Sequence, residues 1–297
     1  MDAAGCASLP SCCALCGSPL PRLSSVPICD VCWMEIPIGG GAVCARCGDP
    51  MNSNSPEMPD GVCRACRMAP PAFERAVAYG IYEDGMRAAI HAFKYNRMHP
   101  AARRLGAMLA QAILKLVDEA PGELLVVPVP LHRSKLRERG FNQARALAGE
   151  AIRTLRRSHP EWRLMLAKKT LVRLRSTQTQ AGLSPHQRRQ NLRGAFHVSD
   201  PDAVRGRDIL LIDDILTTGA TARAASLALK RAGAKSIWVA TLARAGRVFP
   251  VRAGAYETQA EEQDQENDSQ TMSRPGEDVA PVQASGHSSG DSSGDFI

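Results

Sequence analysis

The sequence predicts an α/β domain with a parallel sheet, preceded by a small cysteine-rich module and followed by an acidic tail. Three observations carry that expectation. All ten cysteines fall within the first 66 of 297 residues. Two short, uninterrupted apolar runs at 124–129 and 209–212 have the character of strands buried on both faces. Residues 257–297 hold ten acidic residues, one basic residue and almost nothing large and apolar, which is too little to fold. The resulting division is 1–70, 71–250 and 251–297.

Eight of the cysteines form four Cys-x-x-Cys pairs, Cys13/Cys16, Cys29/Cys32, Cys44/Cys47 and Cys63/Cys66, with 12, 11 and 15 residues between successive pairs. One such knuckle places two sulfurs on one side of a metal, and a second closes the tetrahedron. Sequential pairing needs the shortest loops. It assigns one zinc to Cys13, Cys16, Cys29 and Cys32 and another to Cys44, Cys47, Cys63 and Cys66. Four thiolates leave no open position, so both sites are expected to be structural. Metal would then supply folding energy to a segment with few bulky apolar residues. A disulfide framework needs an oxidising compartment, for which the chain carries no signal, and redox pairs rarely come in fours. An iron–sulfur cluster stays open as the other metal reading. Cys12 is able to stand in for Cys13, and Cys6 reads as a spare thiol.

Further along, residues 75–82 alternate like a strand, and 84–95 and 100–118 read as helices. In the second of these, Leu105, Met108, Leu109, Ile113, Leu116 and Val117 repeat at helical spacing. The apolar run at 124–129 precedes a helix over 141–157. A strand at 209–213, a helix over 221–231 and a strand at 236–242 complete the pattern. Strand, loop, helix and strand at this spacing build a parallel sheet, whose ligands bind at the carboxyl ends of the strands.

Charge excludes little but directs attention. The chain carries 37 Lys and Arg against 30 Asp and Glu, and with the tail set aside residues 1–256 stand at 36 basic to 20 acidic. A basic body points to phosphate-rich partners. The start has neither a basic nor an apolar leader, and the longest apolar stretch, 105–117, is 13 residues long and contains Lys115. A cytoplasmic protein without membrane insertion is expected.

The chemistry concentrates at 209–221, which reads Ile-Leu-Leu-Ile-Asp-Asp-Ile-Leu-Thr-Thr-Gly-Ala-Thr. A buried strand ends in two carboxylates, and a loop of small residues leads into a helix. Thr217, Thr218, Gly219, Ala220 and Thr221 are able to turn successive backbone N–H groups towards one anion, reinforced by the helix dipole. Asp213 and Asp214, one step upstream, suit vicinal sugar hydroxyls. A ligand with hydroxyls and a phosphate at that spacing is a ribose 5-phosphate.

This segment resembles the phosphoribosyl-pyrophosphate (PRPP) motif of type I phosphoribosyltransferases over all 13 positions. Two further segments, 127–143 (Val-Pro-Val-Pro-Leu-His-Arg-Ser-Lys-Leu-Arg-Glu-Arg-Gly-Phe-Asn-Gln) and 180–196, join the cysteine-rich front in resembling the ComF family of competence-associated proteins. The resemblance spans about residues 13–245. It implies a type I phosphoribosyltransferase-like sheet behind a double zinc ribbon, with PRPP and Mg²⁺ as ligands. It makes the segment after 124–129 the pyrophosphate loop, with Arg133, Lys135, Arg137 and Arg139 supplying charge. It also makes 173–193 the flexible loop that closes over the centre. Asp213 and Asp214 take the catalytic position. His91 and His132 are lone histidines, more often structural than acid–base.

No segment reads as a nucleobase-binding hood. A second reading is therefore single-stranded DNA binding by the basic body, with PRPP as a bound ligand. Against it, only 13 residues are Phe, Trp or Tyr, few for a stacking platform. A third reading is an adaptor whose ribbons dock another competence protein such as a helicase.

Overall fold

The computed structural model describes residues 12–20, 26–51, 60–95, 99–167, 169–175 and 194–246. All of these fall in one compact unit that runs to Val248. Cys6, most of the expected flexible loop and the acidic tail lie outside the described residues. In chain order the elements are α1 (Asp30–Met34), α2 (Arg64–Met68), β1 (Arg75–Ile81), α3 (Asp84–Tyr95), α4 (Ala101–Leu114), β2 (Glu123–Pro128), α5 (Arg133–Arg139) and α6 (Gln143–Ser158). There follow β3 (Arg163–Leu166), β4 (Leu171–Arg173), β5 (Phe196–Val198), β6 (Asp208–Leu216), α7 (Ala220–Arg231) and β7 (Ser236–Arg244).

Five strands form one parallel sheet in the order β1-β7-β6-β2-β3, as the apolar runs predict. Its two faces follow the period-2 rule. Leu124 and Val126 of β2, Leu210 and Ile212 of β6 and Trp238, Ala240 and Leu242 of β7 pack into one core with α3, α4 and α6. Leu125, Val127, Ile209, Leu211, Ile237 and Val239 point the other way, onto α7. Helices thus cover both faces, the condition for strands as uniformly apolar as these.

The cysteine modules are divided between those faces. Cys13, Ile28, Cys32, Trp33 and Ile36 join the α3–α4–α6 core, whereas Cys44, Cys47, Cys63, Cys66 and Phe73 join the α7 core. The second module also bonds edge strand β1 directly, the Ala76 amide donating to the Arg46 carbonyl at 2.8 Å. Gly48 makes that approach possible: at φ 65° it presents no side chain, and a Cβ there would sit 2.9 Å from the Ala76 carbonyl oxygen.

Several expectations shift. The helix expected over 100–118 stops at Leu114, because Lys115, Leu116 and Val117 donate three residues back and tighten the last turn. Strand β6 runs nine residues, past the acids to Leu216, since β7 pairs with it throughout, Asp213 facing Thr241 and Leu216 facing Arg244. The expected pyrophosphate loop is largely helical. In α5 the His132 side chain caps the N-terminus by accepting from the Ser134 amide, and Gly140 at φ 78° closes the C-terminus. Strand β3 and the antiparallel pair β4–β5 were not expected. Among the described residues no helix is long and apolar enough to cross a membrane.

Candidate functional site

Strand β2 stops pairing with β6 at Pro128 opposite Ile212, so β6 carries Asp213 and Asp214 beyond its neighbour. After β2 the chain turns to α5 and α6 on one face, and after β6 to α7 on the other. Divergence of that kind opens a crevice at the carboxyl ends of two adjacent strands. The resulting cleft, about 230 Å³, is lined by Asp213, Asp214, Thr217 and Thr221 on one side and Lys135, Arg139, Asn142 and Gln143 on the other. Lys94 of α3 and Arg173 of β4 also reach it.

Four cations and two carboxylates share this small space, which favours an anionic guest. Lys94 pairs with Asp214 at 3.1 Å, both side chains being about one-sixth exposed. Burial pulls the Lys94 ammonium down, but the Asp214 carboxylate outweighs it and leaves its pKa raised. At Asp213 burial, then the neighbouring Asp214 charge, push the carboxyl up to about 7, although it accepts a hydrogen bond from the Asp214 amide at 2.9 Å. The Lys94 and Arg173 charges also pull it down, but more weakly than burial pushes it up. Lys135 is lowered by burial and then by the nearby Arg139 charge.

Two buried donors at the cleft, Arg139 Nε and Gln143 Nε2, have no hydrogen-bond partner among the described residues. Such groups cost free energy unless a ligand satisfies them. Arg139 is otherwise held firmly, its guanidinium stacked 5.0 Å over the Tyr95 ring and bonded to the Tyr95 hydroxyl at 3.2 Å. Asn142 shapes the rim: it donates to the Val129 carbonyl at 3.0 Å while capping α6 through the Arg145 amide. Gly219, at φ 73°, turns the chain from β6 into α7, a conformation that a side chain would strain.

The sequence-chosen residues therefore separate. Asp213, Asp214, Thr217, Thr221, Lys135 and Arg139 share one cleft. Thr218, Gly219 and Ala220 build the turn beside it, the Ala220 amide donating to Thr218 Oγ1 at 3.4 Å. On a helix, alternate residues point in different directions, so Arg133 and Arg137 do not line this cleft with Lys135 and Arg139. Arg133 faces an adjoining hollow of about 1270 Å³.

The cysteines form the two expected tetrads, Cys13, Cys16, Cys29 and Cys32 and then Cys44, Cys47, Cys63 and Cys66, each with its ligand atoms within 4.8 Å of one another. Cys13 takes the first position, and Cys12, which is disulfide-bonded, stands outside the tetrad. Tetrahedral zinc with bonds of about 2.3 Å sets sulfurs about 3.8 Å apart. Cys16 and Cys29 sulfurs lie 3.8 Å apart, and those of Cys47 and Cys63 3.7 Å. Amide N–H groups also donate to the sulfurs, from Cys29 to Cys13 at 3.3 Å and from Cys63 to Cys44 at 3.2 Å. Burial pushes the Cys13 thiol up, yet hydrogen bonds from the Cys29, Cys16 and Leu15 amides bring it down to about 6. The donor set fits zinc at both positions.

Comparison with known proteins agrees with this geometry. A family described as double zinc ribbon domain matches residues 7–67, and one described as phosphoribosyl transferase domain matches residues 142–273. The "DNA utilization protein YhgH" of Escherichia coli O157:H7 is 31% identical over 239 residues, covering 80% of this chain and 98% of that protein. "Competence protein F" of Haemophilus influenzae is 29% identical over 68% of this chain and 84% of its own. "Competence protein ComFC" of Bacillus subtilis is 26% identical over 73% and 84%. The chain belongs to the ComF family. A solved structure described as the allosteric regulatory enzyme of purine biosynthesis covers 48% of this chain and 26% of its own at 23% identity and a TM-score of 0.30, too loose to bear on function.

In this ComF-family chain the site contains groups that the sequence did not announce. Lys94 sits in an ordinary amphipathic helix with nothing local to mark it, and Arg173, the first residue of the expected flexible loop, instead ends a three-residue strand. Asn142 and Gln143 were legible, since they close the quoted 127–143 segment and an Asn before a helix is a capping signal.

Proposed function

We propose that the protein binds PRPP with Mg²⁺ in this cleft, transfers or presents its phosphoribosyl group, and does so in cytoplasmic handling of DNA during uptake or utilisation. What carries the reading is the convergence on one cleft of a carboxylate pair, a small-residue turn at a helix start, and two orphan buried donors. The proposed division of labour is 1–70 as double zinc ribbon, 71–250 as phosphoribosyltransferase-like domain and 251–297 as acidic tail.

Residues 217–221 would hold the 5-phosphate with backbone N–H groups, and Asp213 and Asp214 the ribose hydroxyls. Lys135, Arg139 and Gln143 would hold the diphosphate. Mg²⁺ arriving with PRPP supplies neutralisation of the leaving group. As the C1–O bond breaks, the diphosphate takes the electron pair and the acceptor attacks C1 from the opposite face. The carboxylates fix the ring and stabilise the positive charge that develops there. Binding at the remote 5-phosphate helps to position C1.

Calorimetric titration of Mg-PRPP into zinc-loaded full-length chain, followed by assay of released pyrophosphate, tests this. Binding is expected, and exchanging Asp213 and Asp214 together for Asn should abolish it. Unchanged binding by that double variant would sink the assignment.

One observation favours the second reading. Arg133, Arg145, Arg153 and Lys169 line the adjoining hollow together with His99 and Phe141, whose rings are 4.0 Å apart. Cations beside a ring pair suit single-stranded DNA, with PRPP as a ligand rather than a substrate. Oligonucleotide affinity that falls steeply with salt, without pyrophosphate release, would select it. A ribbon-docked partner such as a helicase would show in binding that depends on residues 1–70.

A further inference from the structure

Arg244 ends β7, and its guanidinium is buried at the point where three parts of the chain meet. Its Nη1 donates to the Leu216 carbonyl at 2.6 Å and also to the Thr217 carbonyl. These are the last residue of β6 and the first of the turn. Its Nη2 donates to the Asp49 carboxylate at 2.9 Å, with the two side chains 4% and 6% exposed. Asp49 follows the third cysteine knuckle by two residues. Its carbonyl accepts from the Cys44 amide at 2.8 Å, and its own amide donates to the Cys47 sulfur. One continuous path therefore runs from the second tetrad through Asp49 and Arg244 to the backbone of the turn. A second link runs alongside. Arg223, in the first turn of α7, donates to the Ala69 carbonyl at 2.6 Å and to the Cys66 sulfur at 3.5 Å.

We propose that Arg244 is a positioning residue for the turn at 217–221, that Asp49 holds it in place, and that metal occupancy of the second tetrad and anion binding at the turn are thereby coupled. The proposal rests on the reading of 217–221 as the phosphate cradle. A turn presents its amides to a phosphate only while its carbonyls are held the other way, and Arg244 holds the Thr217 carbonyl together with that of Leu216 just before it. A buried arginine keeps its place only while its charge is compensated, which Asp49 does. Asp49 in turn is fixed by a knuckle that needs metal to keep its shape. Among the described residues the first tetrad has no such path. Its charged contact with the sheet domain among the described residues is the pair between Asp30 and Arg104, with side chains 81% and 46% exposed.

Hydrogen exchange on the zinc-loaded full chain tests the path without any ligand. Asp49→Asn keeps the shape and removes the charge. It should speed exchange of the 217–221 amides about tenfold while the amides of β6 and β7 hold their rates and zinc content stays at two per chain. Asp30→Asn should leave 217–221 unchanged. If Asp49→Asn loses its zinc, the wild-type chain supplies the readout. By reciprocity, saturating PRPP should raise zinc affinity at the second tetrad alone, by the factor by which zinc there raises PRPP affinity, measured by competition with a chelator. Unchanged exchange in a zinc-replete Asp49→Asn, or PRPP binding that leaves both zinc affinities as they were, overturns the coupling. Faster exchange in a chain that binds no PRPP would instead uphold the brace and overturn the phosphate reading.

Discussion

The two cysteine tetrads share a ligand set and the Cys-x-x-Cys knuckle, yet the fold uses them differently. In the first, Cys16 is exposed and Cys29 half-buried, and the module meets the sheet domain through apolar contacts of Ile28, Trp33 and Ile36. In the second all four sulfurs are buried, and polar links reach from it to the turn beside the carboxylates. Apolar packing is non-directional and stabilises whatever lies against it. A buried ion pair between forked donors and a carboxylate fixes orientation instead. The same metal chemistry thus serves as a clip at one module and, in the coupling proposed above, as an anchor for the turn at 217–221 at the other.

The comparison breaks most visibly at the metal. Structural zinc contributes about 10–16 kcal/mol in small modules, comparable to the about 5–15 kcal/mol that holds a whole domain. Cys44→Ser, at a sulfur that is 1% exposed, should lose one zinc per chain, unfold the α7 face and abolish PRPP binding. Cys16→Ser should also lose one zinc but keep PRPP affinity within about twofold. Elemental analysis and calorimetry on the same preparations decide it. Equal loss of binding in both variants would erase the distinction.

Next in size is the apolar seam of the first module. Trp33 is 4% exposed in the α3–α4–α6 core, and Trp33→Ala should cost about 3–5 kcal/mol. Thermal or denaturant unfolding measures that cost. PRPP affinity, measured well below the melting temperature, should not change.

How much of this was legible follows from the range of each interaction. Strands β6 and β7 and helix α7 could be read because an apolar run, two acids and a small-residue turn are adjacent in sequence. The tetrads could be read because metal geometry fixes the spacing. Helix α5 was missed although Gly140 follows Arg139 as a C-terminal stop signal, since seven residues give too little periodicity to outweigh the resemblance to a loop. Lys94 comes to the cleft only through packing, whereas Arg173 opens the segment that the resemblance had placed over the centre. Asp49 and Arg244 are 195 residues apart, and no local pattern in either segment names the other.

Acidity separates the cleft from the metal sites more finely. Asp213 is pushed up to about 7 in the folded chain, above its ordinary value near 4. Between those values the folded chain keeps a proton that the unfolded chain has lost, so this group weakens folding as pH rises from about 4 to 7. Ligand binding runs the other way, because ribose hydroxyls need the carboxylate as acceptor. PRPP affinity should fall about fivefold from pH 7 to pH 6, with zinc content unchanged at both modules. A flat profile would mean that Asp213 is already charged, or that it does not meet the ligand.

The smallest expected effect sharpens the comparison from the other end. Asp30 and Arg104 form a close ion pair between the first module and α4, at 2.6 Å, and by distance alone it is as good as the pair between Asp49 and Arg244 at 2.9 Å. Exposure makes the difference. Water already solvates both Asp30 and Arg104, and Arg104 also lies 5.3 Å over the Trp33 ring, which keeps its side chain in place without the carboxylate. Asp30→Asn should therefore change stability by no more than about 1 kcal/mol, and less at high salt. Denaturant unfolding at two ionic strengths checks this. A larger, salt-independent loss would show that the first module, too, is held by directional charge, and the contrast between the two modules would fail.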